Sequence, residues 1–451
     1  MIYRFIRELV RLATHIFYRH IEVVGLENIP KDDALIFFGN HPNSLLDPAL
    51  ITAFGERKIH FMAKEALFSK PLLNTLLKQM GAVPIKRRQD QNGGQLNNEN
   101  TFEALYQVLE KGGAMGIFPE GISHNNAQLS ELKTGAARIA LAMKERGTQV
   151  RFIPCGLTYL TRDRFRSSVL IQFGSAFSLE ELSLQEDSPR AITEQMDLHL
   201  RALTINAENW DDLSLLDTVR RLYQPAKISI EERVELARRF NTHYPQIKAK
   251  PEIRELAQQV KEYQDELYFL GLHDKEISGS LKASLFGLKL FKHLSIMFIW
   301  LPLALIGSPI HFPIAFLLGK GSRVMAPRKD VVATTKFVAG FLLLNALYLA
   351  LGLWAWSLGY GWRSLLVPIL FALTGFGCLK LAERGRSVWR TLWIWTHCLA
   401  AKTTIKELRD KRRQLKSQVL QAVNQNLPEG LERMFYQNSK SSSSHSESQE
   451  A

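Results

Sequence analysis

The run FVAGFLLLNALYLALGLWAWSL, Phe337 to Leu358, constrains the fold of this chain more than any other feature. It holds 22 residues and no charge, and a membrane-spanning α-helix needs roughly 20 apolar residues. After the short GYGWR, the run from Ser364 to Leu379 adds 16 uncharged residues, enough to return across a bilayer with little tilt. The two runs predict a spanning helical hairpin at residues 337–379.

The apolar run before this hairpin, Leu294 to Gly319, is interrupted by Pro302, Gly307, Pro309, His311 and Pro313. Lys and Arg concentrate on the cytoplasmic side of membrane segments. Basic clusters lie before this run, after it and after the hairpin, at Lys282, Lys289 and Lys292; Lys320, Arg323, Arg328, Lys329 and Lys336; and Lys380, Arg384, Arg386 and Arg390. A single crossing would separate them. We therefore predict a broken, re-entrant segment at 294–319 that turns near Gly307 to Pro309, within a membrane region at 293–400.

Charge and cysteine content bear on partners and compartment. The chain of 451 residues has 57 Lys plus Arg against 44 Asp plus Glu, a net charge of +13, which suits anionic partners such as phospholipid headgroups. No helix-turn-helix, zinc-finger or RNA-recognition signature is visible, so no nucleic-acid partner is predicted. Cys155, Cys378 and Cys398 are far apart, which predicts neither a disulfide framework nor a cysteine metal site and favours a cytosolic working face.

Residues 1–24 begin with a helical pattern. Apolar residues recur at helical spacing with Arg4, Arg7 and Arg11 mostly elsewhere, and there is neither a continuous apolar core nor a small-residue cleavage site of a secretory signal. The pattern predicts a basic amphipathic helix that lies on an anionic membrane surface. Packing of the same helix on its own domain fits the pattern equally well.

Short apolar runs alternate with helical patterns across residues 25–215. The runs typical of buried strands are ALIFFG, KIHFMA, GAVPI, AMGIFP, VRFIPCG and VLIQFG. Helical patterns lie between them in PLLNTLLKQM, NENTFEALYQVLEKG and LKTGAARIALAMKERG. This alternation predicts an α/β domain in which helices cover a mixed sheet.

Polar segments divide the rest of the chain. RRQDQNGGQLNNEN, after GAVPI, is predicted as a mobile loop. Residues 216–292 are charged and helical, and we interpret them as a solvated linker that leads to the α-helical membrane region. Residues 401–436 are predicted as a helical tail and the Ser-rich residues 437–451 as disordered.

One histidine and one carboxylate follow the first of these strands. His41 comes directly after ALIFFG, at the carboxyl end where α/β sheets usually place their sites, and Asp47 comes six positions later. Pro42, Asn43 and Pro48 oppose a helix through the whole stretch, so a turn can return Asp47 to the imidazole. A histidine oriented by a carboxylate can act as general base toward a hydroxyl. A structural loop histidine is the alternative that the pair alone leaves open.

Further blocks at strand ends carry polar or conformationally special residues. GAVPI is followed by the cations Lys86, Arg87 and Arg88, which suit a phosphate site, although a solvated or membrane-facing cluster fits them too. In FPEG, Glu120 can accept hydrogen bonds from hydroxyls and Gly121 allows close backbone approach. Pro154, in FIPCGLTYL, is interpreted as the end of a strand.

The order and spacing of these blocks resemble the glycerolipid acyltransferase superfamily, which includes lysophosphatidate acyltransferases and tafazzin. The four blocks are His41 to Asp47, Gly81 to Arg87, FPEG and IPCG, and the resemblance covers residues 20 to 220 or so. The superfamily's usual first block is H-x4-D, whereas this chain has H-x5-D. That spacing, with FPEGISH, LKTGAARIAL, GLTYLTRDRFRSSVLIQFG and RKDVVATTKF, is more similar to the yeast-type sn-1 acyltransferases of glycerol 3-phosphate and dihydroxyacetone phosphate, which also have membrane segments after the acyltransferase domain.

The resemblance implies roles for single residues. His41 would be the general base and Asp47 its orienting carboxylate. Lys86 and Arg87 would hold the acceptor phosphate, Glu120 and Gly121 the glycerol portion, and Pro154 would belong to the acyl-donor side. Additional phosphate or CoA contacts are implied for Lys133, Arg164 and Arg166. No metal or cofactor is implied.

The expected activity is transfer of a fatty acyl group from acyl-CoA or acyl carrier protein to the sn-1 hydroxyl of glycerol 3-phosphate or dihydroxyacetone phosphate. The expected setting is a phospholipid membrane, the bacterial inner membrane or the endoplasmic reticulum, with the catalytic domain on the cytosolic face. Acylation of a lysophospholipid is the alternative within this class. A non-catalytic lipid-binding scaffold is the alternative of another class, and the presence of both His41 and Asp47 favours an enzyme.

Overall fold

Each predicted apolar run forms a strand of one mixed sheet in the computed structural model, which describes residues 2–69, 71–85, 99–182, 184, 188–225, 227–278, 283–326, 328–400, 402–431 and 433–435. The strands are β1 (His20–Val24), β2 (Ala34–Gly39), β3 (Ile59–Lys64), β4 (Val83–Ile85), β5 (Ala114–Ile117), β6 (Val150–Tyr159), β7 (Ser168–Phe173) and β8 (Phe177–Ser178). The sequence pattern does not predict β1 and β8, because β1 carries polar residues at two of its five positions and β8 has only two residues.

The strand order is β1-β7-β6-β2-β5-β3-β4, with β8 paired to β6. The pairs along β6-β2-β5-β3-β4 are parallel, as is β1 with β7, whereas β6 is antiparallel to β7 and β8. Parallel pairing puts the carboxyl ends of β2, β5 and β6 at one edge of the sheet. The prediction of a mixed sheet is confirmed.

Helices cover both faces of this sheet. They are α1 (Ile2–Phe17), α2 (Leu46–Phe54), α3 (Pro71–Gln79), α4 (Glu99–Glu110), α5 (Gly135–Glu145) and α6 (Pro189–Leu203). Successive strand residues point to opposite faces: Leu35 and Phe37 of β2 join one apolar cluster, and Ile36 and Phe38 join the other. The near-continuous apolar character of β2 follows from this burial on both faces.

The interpretation of Pro154 as the end of a strand is wrong, since β6 continues to Tyr159. Proline lacks the N–H that a central strand normally donates. Here the carbonyl of Pro154 accepts from the Gly174 N–H at 2.9 Å, so its nitrogen faces the same edge. On that edge the partner of β6 changes from β8, opposite Phe152, to β7, opposite Cys155. Pro154, which has no N–H to donate, therefore lies between the part of β6 that pairs with β8 and the part that pairs with β7.

Helix α1 packs on the α/β unit with one side and leaves an apolar stripe on another. The His15 ring meets Phe54 edge-on with centroids 5.6 Å apart, and the Tyr3 hydroxyl donates to the Arg57 carbonyl at 3.1 Å. The exposed stripe consists of Ile2, Phe5, Leu12 and Ile16. Packing on its own domain is therefore realised, together with an outward apolar stripe of the kind that a membrane-surface helix presents.

The predicted break near Gly307 to Pro309 is wrong, because α11 (Ala283–Met325) is a continuous helix. A proline inside a helix leaves the carbonyl four residues earlier without its usual donor. For Pro309 this carbonyl belongs to Leu305, and the Ser308 hydroxyl donates to it at 3.3 Å. Gly307 lies directly against Thr374, so close packing on another helix also stabilises the segment.

The hairpin predicted at 337–379 is formed by α12 (Val332–Ala355) and α13 (Leu366–Ala400), and Gly352 packs on Pro368 beside the connecting turn at 356–365. Helix α11 contacts this hairpin at both ends of its apolar stretch. Near one end of its apolar stretch His293 contacts Arg384 at 3.5 Å, and near the other Leu318 packs on Gly340. Both contacts are remote from the turn, so both ends of the stretch lie towards the open end of the hairpin.

Among the residues that the structure describes, two stretches, Gly287–Met325 and Lys329–Thr396, are long and apolar enough to span a membrane by length and composition. Only 17% of the most apolar window of each is buried, whereas the core helix of a soluble protein would be mostly buried. Large apolar side chains such as Phe298, Ile306 and Trp354 are exposed. An exposed apolar surface of this size marks a membrane or partner surface.

The chain forms two units, one of Met1–Asn206 with Gly287–Arg390 and one of Ala207–Phe286 with Thr391–Ala451. The second unit contains α7 (Trp210–Tyr223), α8 (Ile230–Ile247), α9 (Pro251–Phe269), α10 (Asp274–Ile277) and α14 (Lys402–Gln425). Helix α8 begins with a capping box between Ser229 and Glu232. In the structure this part of the first unit ends at Asn206, close to the boundary predicted at 215.

The interpretation of residues 216–292 as a solvated linker is wrong, because these helices share a core with the predicted tail at 401–436. Leu222, Leu236 and Val260 are buried together with residues of α14, namely Ile405, Leu408, Leu415 and Val419. The apolar positions recur at helical spacing on otherwise charged helices, which is the pattern of a packed amphipathic face. The final residues predicted as disordered, 437–451, lie outside the described residues.

Candidate active site

The candidate site lies where two neighbouring parallel strands end. Residue Phe38 of β2 is in register with Ile117 of β5, so the loops that follow them emerge side by side. His41 lies in the first loop and Glu120 in the second. Carboxyl edges of this kind are the usual location of sites in α/β sheets, and the structure brings both predicted blocks together there.

His41 and Asp47 form a hydrogen-bonded pair. Nδ1 of His41 is 2.8 Å from Oδ2 of Asp47, which lies in the first turn of α2. The same oxygen accepts the Asn43 backbone N–H at 2.7 Å. Ser44 adopts a φ of +47°, a left-handed conformation that is uncommon for a residue other than glycine. This turn accommodates the five residues between His41 and Asp47 and returns the carboxylate to the imidazole.

The other oxygen of this carboxylate is held from β6. The Tyr159 hydroxyl donates to Oδ1 of Asp47 at 2.5 Å, and the Asp47 side chain is 0% exposed. Burial, and then the negative charge of Asp47, raise the pKa of Tyr159 well above its usual value, so the hydroxyl remains a donor near neutral pH. With three donors on the carboxylate, Asp47 favours the tautomer in which Nδ1 carries the proton and Nε2 is an acceptor.

Aromatic stacking fixes the plane of the imidazole. The His41 ring lies on Phe118 with centroids 4.1 Å apart and an interplanar angle of 8°, and Phe61 stacks on Phe118 at 5.4 Å. Gly116 makes this possible, because a Cβ at that position would lie 2.3 Å from the Phe61 ring. The ring of His41 is thereby held by a hydrogen bond at one nitrogen and by a packed face.

Glu120 connects the two loops. Its Oε1 accepts the His41 backbone N–H at 2.7 Å, and its Oε2 accepts the Ser130 backbone N–H at 2.8 Å and a hydrogen bond from the His124 ring. The side chain is almost fully buried. These contacts assign Glu120 a structural role at the site; the predicted contact with the glycerol portion of an acceptor stays a prediction.

Gly121 and Lys133 lie together beside Glu120. Gly121 has a φ of +78°, and a Cβ there would lie 2.5 Å from Nζ of Lys133. The Lys133 backbone N–H donates to the Pro119 carbonyl at 2.8 Å, which fixes the lysine next to the FPEG block. The exposed Lys133 therefore brings a cation to the rim of the site, as its predicted phosphate or CoA contact requires.

Arg162 is a second cation at the site, one that the sequence analysis does not identify. Its carbonyl accepts from the Asn43 side chain at 3.2 Å, and its guanidinium donates to the Asn126 carbonyl at 3.3 Å. Burial lowers the pKa of Arg162, while the negative charges of Asp47 and Glu120 act in the opposite direction. A partly desolvated cation near both carboxylates is a candidate anion contact.

The structure does not place the remaining predicted residues in hydrogen-bonding contact with His41 or Asp47 within the part of the chain that it describes. Lys86 and Arg87 lie outside the described residues. Pro154 is buried, and its ring lies against Gly174. Arg164 is exposed. Arg166 is committed to structural contacts, since its Nε donates to Glu383 at 2.6 Å and its Nη1 donates to carbonyls at the end of α1.

Comparisons with known proteins match the two parts of the chain separately. Residues 20–158 match the family model described as Acyltransferase, and residues 215–431 match the model described as Glycerol-3-phosphate acyltransferase 2 C-terminal domain. Glycerol-3-phosphate O-acyltransferase 2 of Saccharomyces cerevisiae is 30% identical over 278 residues, which are 56% of this chain and 37% of that protein. Glycerol-3-phosphate O-acyltransferase 1 of the same yeast is 24% identical over 80% of this chain and 51% of that protein.

A shorter match is to a chloroplastic 1-acyl-sn-glycerol-3-phosphate acyltransferase of Arabidopsis thaliana, 27% identical over 29% of this chain and 34% of that protein. The chain spans about half, or less, of the length of the two yeast relatives. The chain matches an acyltransferase model followed by a glycerol-3-phosphate acyltransferase 2 C-terminal model, and the predicted resemblance to glycerolipid acyltransferases is confirmed.

Proposed function

We propose that this chain is a membrane-bound O-acyltransferase that moves a fatty acyl group from acyl-CoA or acyl carrier protein to the sn-1 hydroxyl of glycerol 3-phosphate or dihydroxyacetone phosphate. The observation that carries the proposal is the 2.8 Å contact between His41 and a buried Asp47 at the carboxyl edge of the sheet. Family models that name acyltransferases support it, as do the two yeast relatives named as glycerol-3-phosphate O-acyltransferases.

The proposed reaction uses His41 as general base. The acceptor hydroxyl oxygen attacks the thioester carbonyl carbon while Nε2 of His41 takes the hydroxyl proton. As the carbon–sulfur bond breaks, the thiolate leaves with the bonding electrons, and the imidazolium returns the proton to it or to water. Asp47 stabilises the transient imidazolium and keeps its orientation. No step in this sequence calls for a metal or a bound cofactor.

Cations at the rim would bind the phosphate of the acceptor or of CoA. Lys133 and Arg162 are the described candidates, and the sequence blocks add Lys86 and Arg87. Glu120 is proposed to contact a glycerol hydroxyl through its remaining lone pairs, since each carboxylate oxygen accepts more than one donor, and Gly121 leaves room for it. The buried Pro154 can act on the acyl-donor side only through the packing of β6.

For the membrane part we propose that α12 and α13 cross the bilayer as a hairpin. Helix α11 is continuous but contains three prolines, and we propose that it is bent so that it enters and leaves on one side. The contacts of His293 and Leu318 with the open end of the hairpin support this. Between them, Nε2 of His311 accepts from the Tyr348 hydroxyl at 2.8 Å, so the middle of α11 lies further along the hairpin. All basic clusters would then face the cytosol with the catalytic domain, as the charge rule demands.

Two alternatives remain open to experiment. A lysophospholipid acceptor also offers a hydroxyl and a phosphate, and the Arabidopsis relative is named for such an acceptor. A non-catalytic lipid-binding scaffold would keep the fold but turn over no thioester.

The test is an acyl-transfer assay of the full chain in lipid nanodiscs with labelled acyl-CoA against glycerol 3-phosphate, dihydroxyacetone phosphate and lysophosphatidate. We expect His41→Ala to lower the rate by about 10³-fold, in line with the loss of a general base, while membrane integration is unchanged. The exposed His20 provides the control: His20→Ala should retain the wild-type rate. Turnover by His41→Ala at the wild-type rate would refute the mechanism, and preference for lysophosphatidate would favour the alternative acceptor.

A further inference from the structure

The segment Arg328–Lys336, which comprises the link from α11 to α12 and the first residues of α12, packs on the candidate active site. We refer to it as the connecting segment. Lys336, at its end, donates through Nζ to the Asp163 carbonyl at 2.6 Å. Two other side chains of the connecting segment, Asp330 and Thr334, are buried although they are polar. Buried polar groups are stable where they are hydrogen-bonded, and the partners of these two lie in the loops of Glu120 and His41.

Asp330 is bound to the loop that carries Glu120. Its Oδ2 accepts from the Ser123 hydroxyl at 2.6 Å and from the Arg328 guanidinium at 2.9 Å. Ser123 is itself buried and lies three positions after Glu120 in the FPEGIS sequence. Arg328 also donates to the Ser123 hydroxyl at 3.1 Å, so the three side chains form a closed, charge-assisted network.

Thr334 is bound to the loop that carries His41. Its hydroxyl donates to the Asn43 carbonyl at 3.0 Å, and the Asn43 N–H donates to Asp47 Oδ2, the same oxygen that meets His41. Only one residue therefore separates the connecting segment from the hydrogen bond that orients the histidine. Without the Thr334 hydroxyl, the Asn43 carbonyl would be left as a buried acceptor with one fewer partner.

We propose that Asp330 and Thr334 are positioning residues of the active site: they fix the loops of Glu120 and His41 and make the geometry of the His41–Asp47 pair depend on the seating of the two membrane helices. The inference rests on the proposed function. It also explains why a connection that belongs to the C-terminal family match, residues 215–431, contacts residues of the acyltransferase match, residues 20–158. The catalytic pair would be correctly oriented only in a chain whose membrane part is folded.

The test compares Thr334→Val with Thr335→Val in the full chain in nanodiscs. The Thr335 hydroxyl donates to the Val331 carbonyl of its own helix at 3.0 Å, so its loss provides a matched control. We expect Thr334→Val to lower kcat about tenfold with KM for acyl-CoA and acceptor changed less than about twofold, because a small misplacement of a catalytic group lowers the rate of the chemical step. Thr334→Ser, which keeps the donor, should restore kcat, and Thr335→Val should leave it unchanged.

Asp330→Asn, which keeps the size of the side chain, tests the contact between Asp330 and Ser123. It also serves as the test if Thr334→Val does not fold. We expect it to lower kcat about fivefold, and to add no further loss when combined with Ser123→Ala, because both changes break one network. Wild-type kcat in both Thr334→Val and Asp330→Asn, or an equal loss in Thr335→Val, would overturn the inference. Failure of the proposed function is distinct: the wild-type chain would then transfer no acyl group to any acceptor.

Discussion

The hydroxyl of Tyr159 donates a 2.5 Å hydrogen bond to Oδ1 of Asp47 across 112 positions of sequence. It links the carboxyl end of β6 to the first turn of α2 and completes the set of donors around a fully buried carboxylate. The orientation of His41 therefore depends on the pairing of β6 beside β2 as well as on the local turn that returns Asp47 to the imidazole.

Tyr159→Phe should lower kcat about tenfold, since it removes a charge-assisted hydrogen bond from the orienting carboxylate and leaves the packing nearly intact. Steady-state acyl transfer would measure the effect, and the melting temperature would show that the fold is retained. The half-buried Tyr106, whose ring lies against the Arg146 guanidinium, provides the control, as Tyr106→Phe should retain full activity. A Tyr159→Phe variant with wild-type kcat would show that the turn alone orients Asp47.

The proposed membrane arrangement predicts which positions a water-soluble thiol reagent reaches from each side of a sealed vesicle. In a chain without its native cysteines, Lys320→Cys and Lys329→Cys should react from the side of the catalytic domain, where Arg190→Cys serves as reporter. Leu358→Cys, at the turn of the hairpin, should react only from the opposite side. Labelling of position 320 from the side of position 358 would instead show that α11 crosses the bilayer.

The exposed stripe of α1 should lie among lipid acyl chains. A polarity-sensitive fluorophore on Phe5→Cys is expected to emit at shorter wavelength in anionic vesicles and to be quenched by a quencher on the acyl chain, because an interfacial helix buries its apolar face. Glu8→Cys, on the charged side of the same helix, should show neither effect. Equal quenching at both positions would exclude an oriented surface helix.

The buried Arg220 of the second unit, which is 1% exposed, should make stability depend on Asp217. Burial acts to raise the pKa of Asp217, but the charges of Arg220 and Arg221 prevail and lower it below its usual 3.8. The pair therefore stabilises the unit at neutral pH, and this contribution is lost as pH falls through the lowered pKa.

Asp217→Asn should reduce the free energy of opening of α7 and α8 by about 3 kcal/mol at pH 7, since it leaves a buried cation without its charged partner. Amide hydrogen exchange would measure it, and the difference from wild type should shrink below about pH 4. The exposed Asp265 on α9 gives the control, with Asp265→Asn expected to change nothing. A constant difference across the whole pH range would contradict an ionic origin.

Local sequence patterns predicted much of the fold. The predictions that failed depended on packing contacts that a sequence pattern does not contain. The interior strands of the sheet could be predicted from the apolar runs, because a strand that is buried on both faces has an almost unbroken apolar sequence. The break predicted in α11 failed because the Ser308 hydroxyl and the contact with Thr374 offset the effect of Pro309. The core shared by α7, α8 and α9 was hidden because α14, which covers it, lies far along the chain.

At the site, too, the residues that follow a strand pattern directly could be predicted, and those brought in by strand pairing could not. His41, Asp47 and Glu120 follow directly on strand patterns, so their positions could be predicted from sequence. Tyr159 and Arg162 could not, because strand order along the chain does not reveal that β6 pairs with β2. The available signals were their place shortly after the apolar run VRFIPCG and their presence in GLTYLTRDRFRSSVLIQFG, a block of the family resemblance.

The second unit is built from residues on both sides of α11, α12 and α13 in the sequence, with Leu236 and Val260 before them and Leu415 and Val419 after them. During synthesis, α7, α8 and α9 leave the ribosome before the residues that cover their apolar faces exist. The unit can therefore complete its core only after α11, α12 and α13 have been translated. A chain that ended after α13 would expose this uncovered surface to chaperones and proteases, which gives the cell a means to remove unfinished copies.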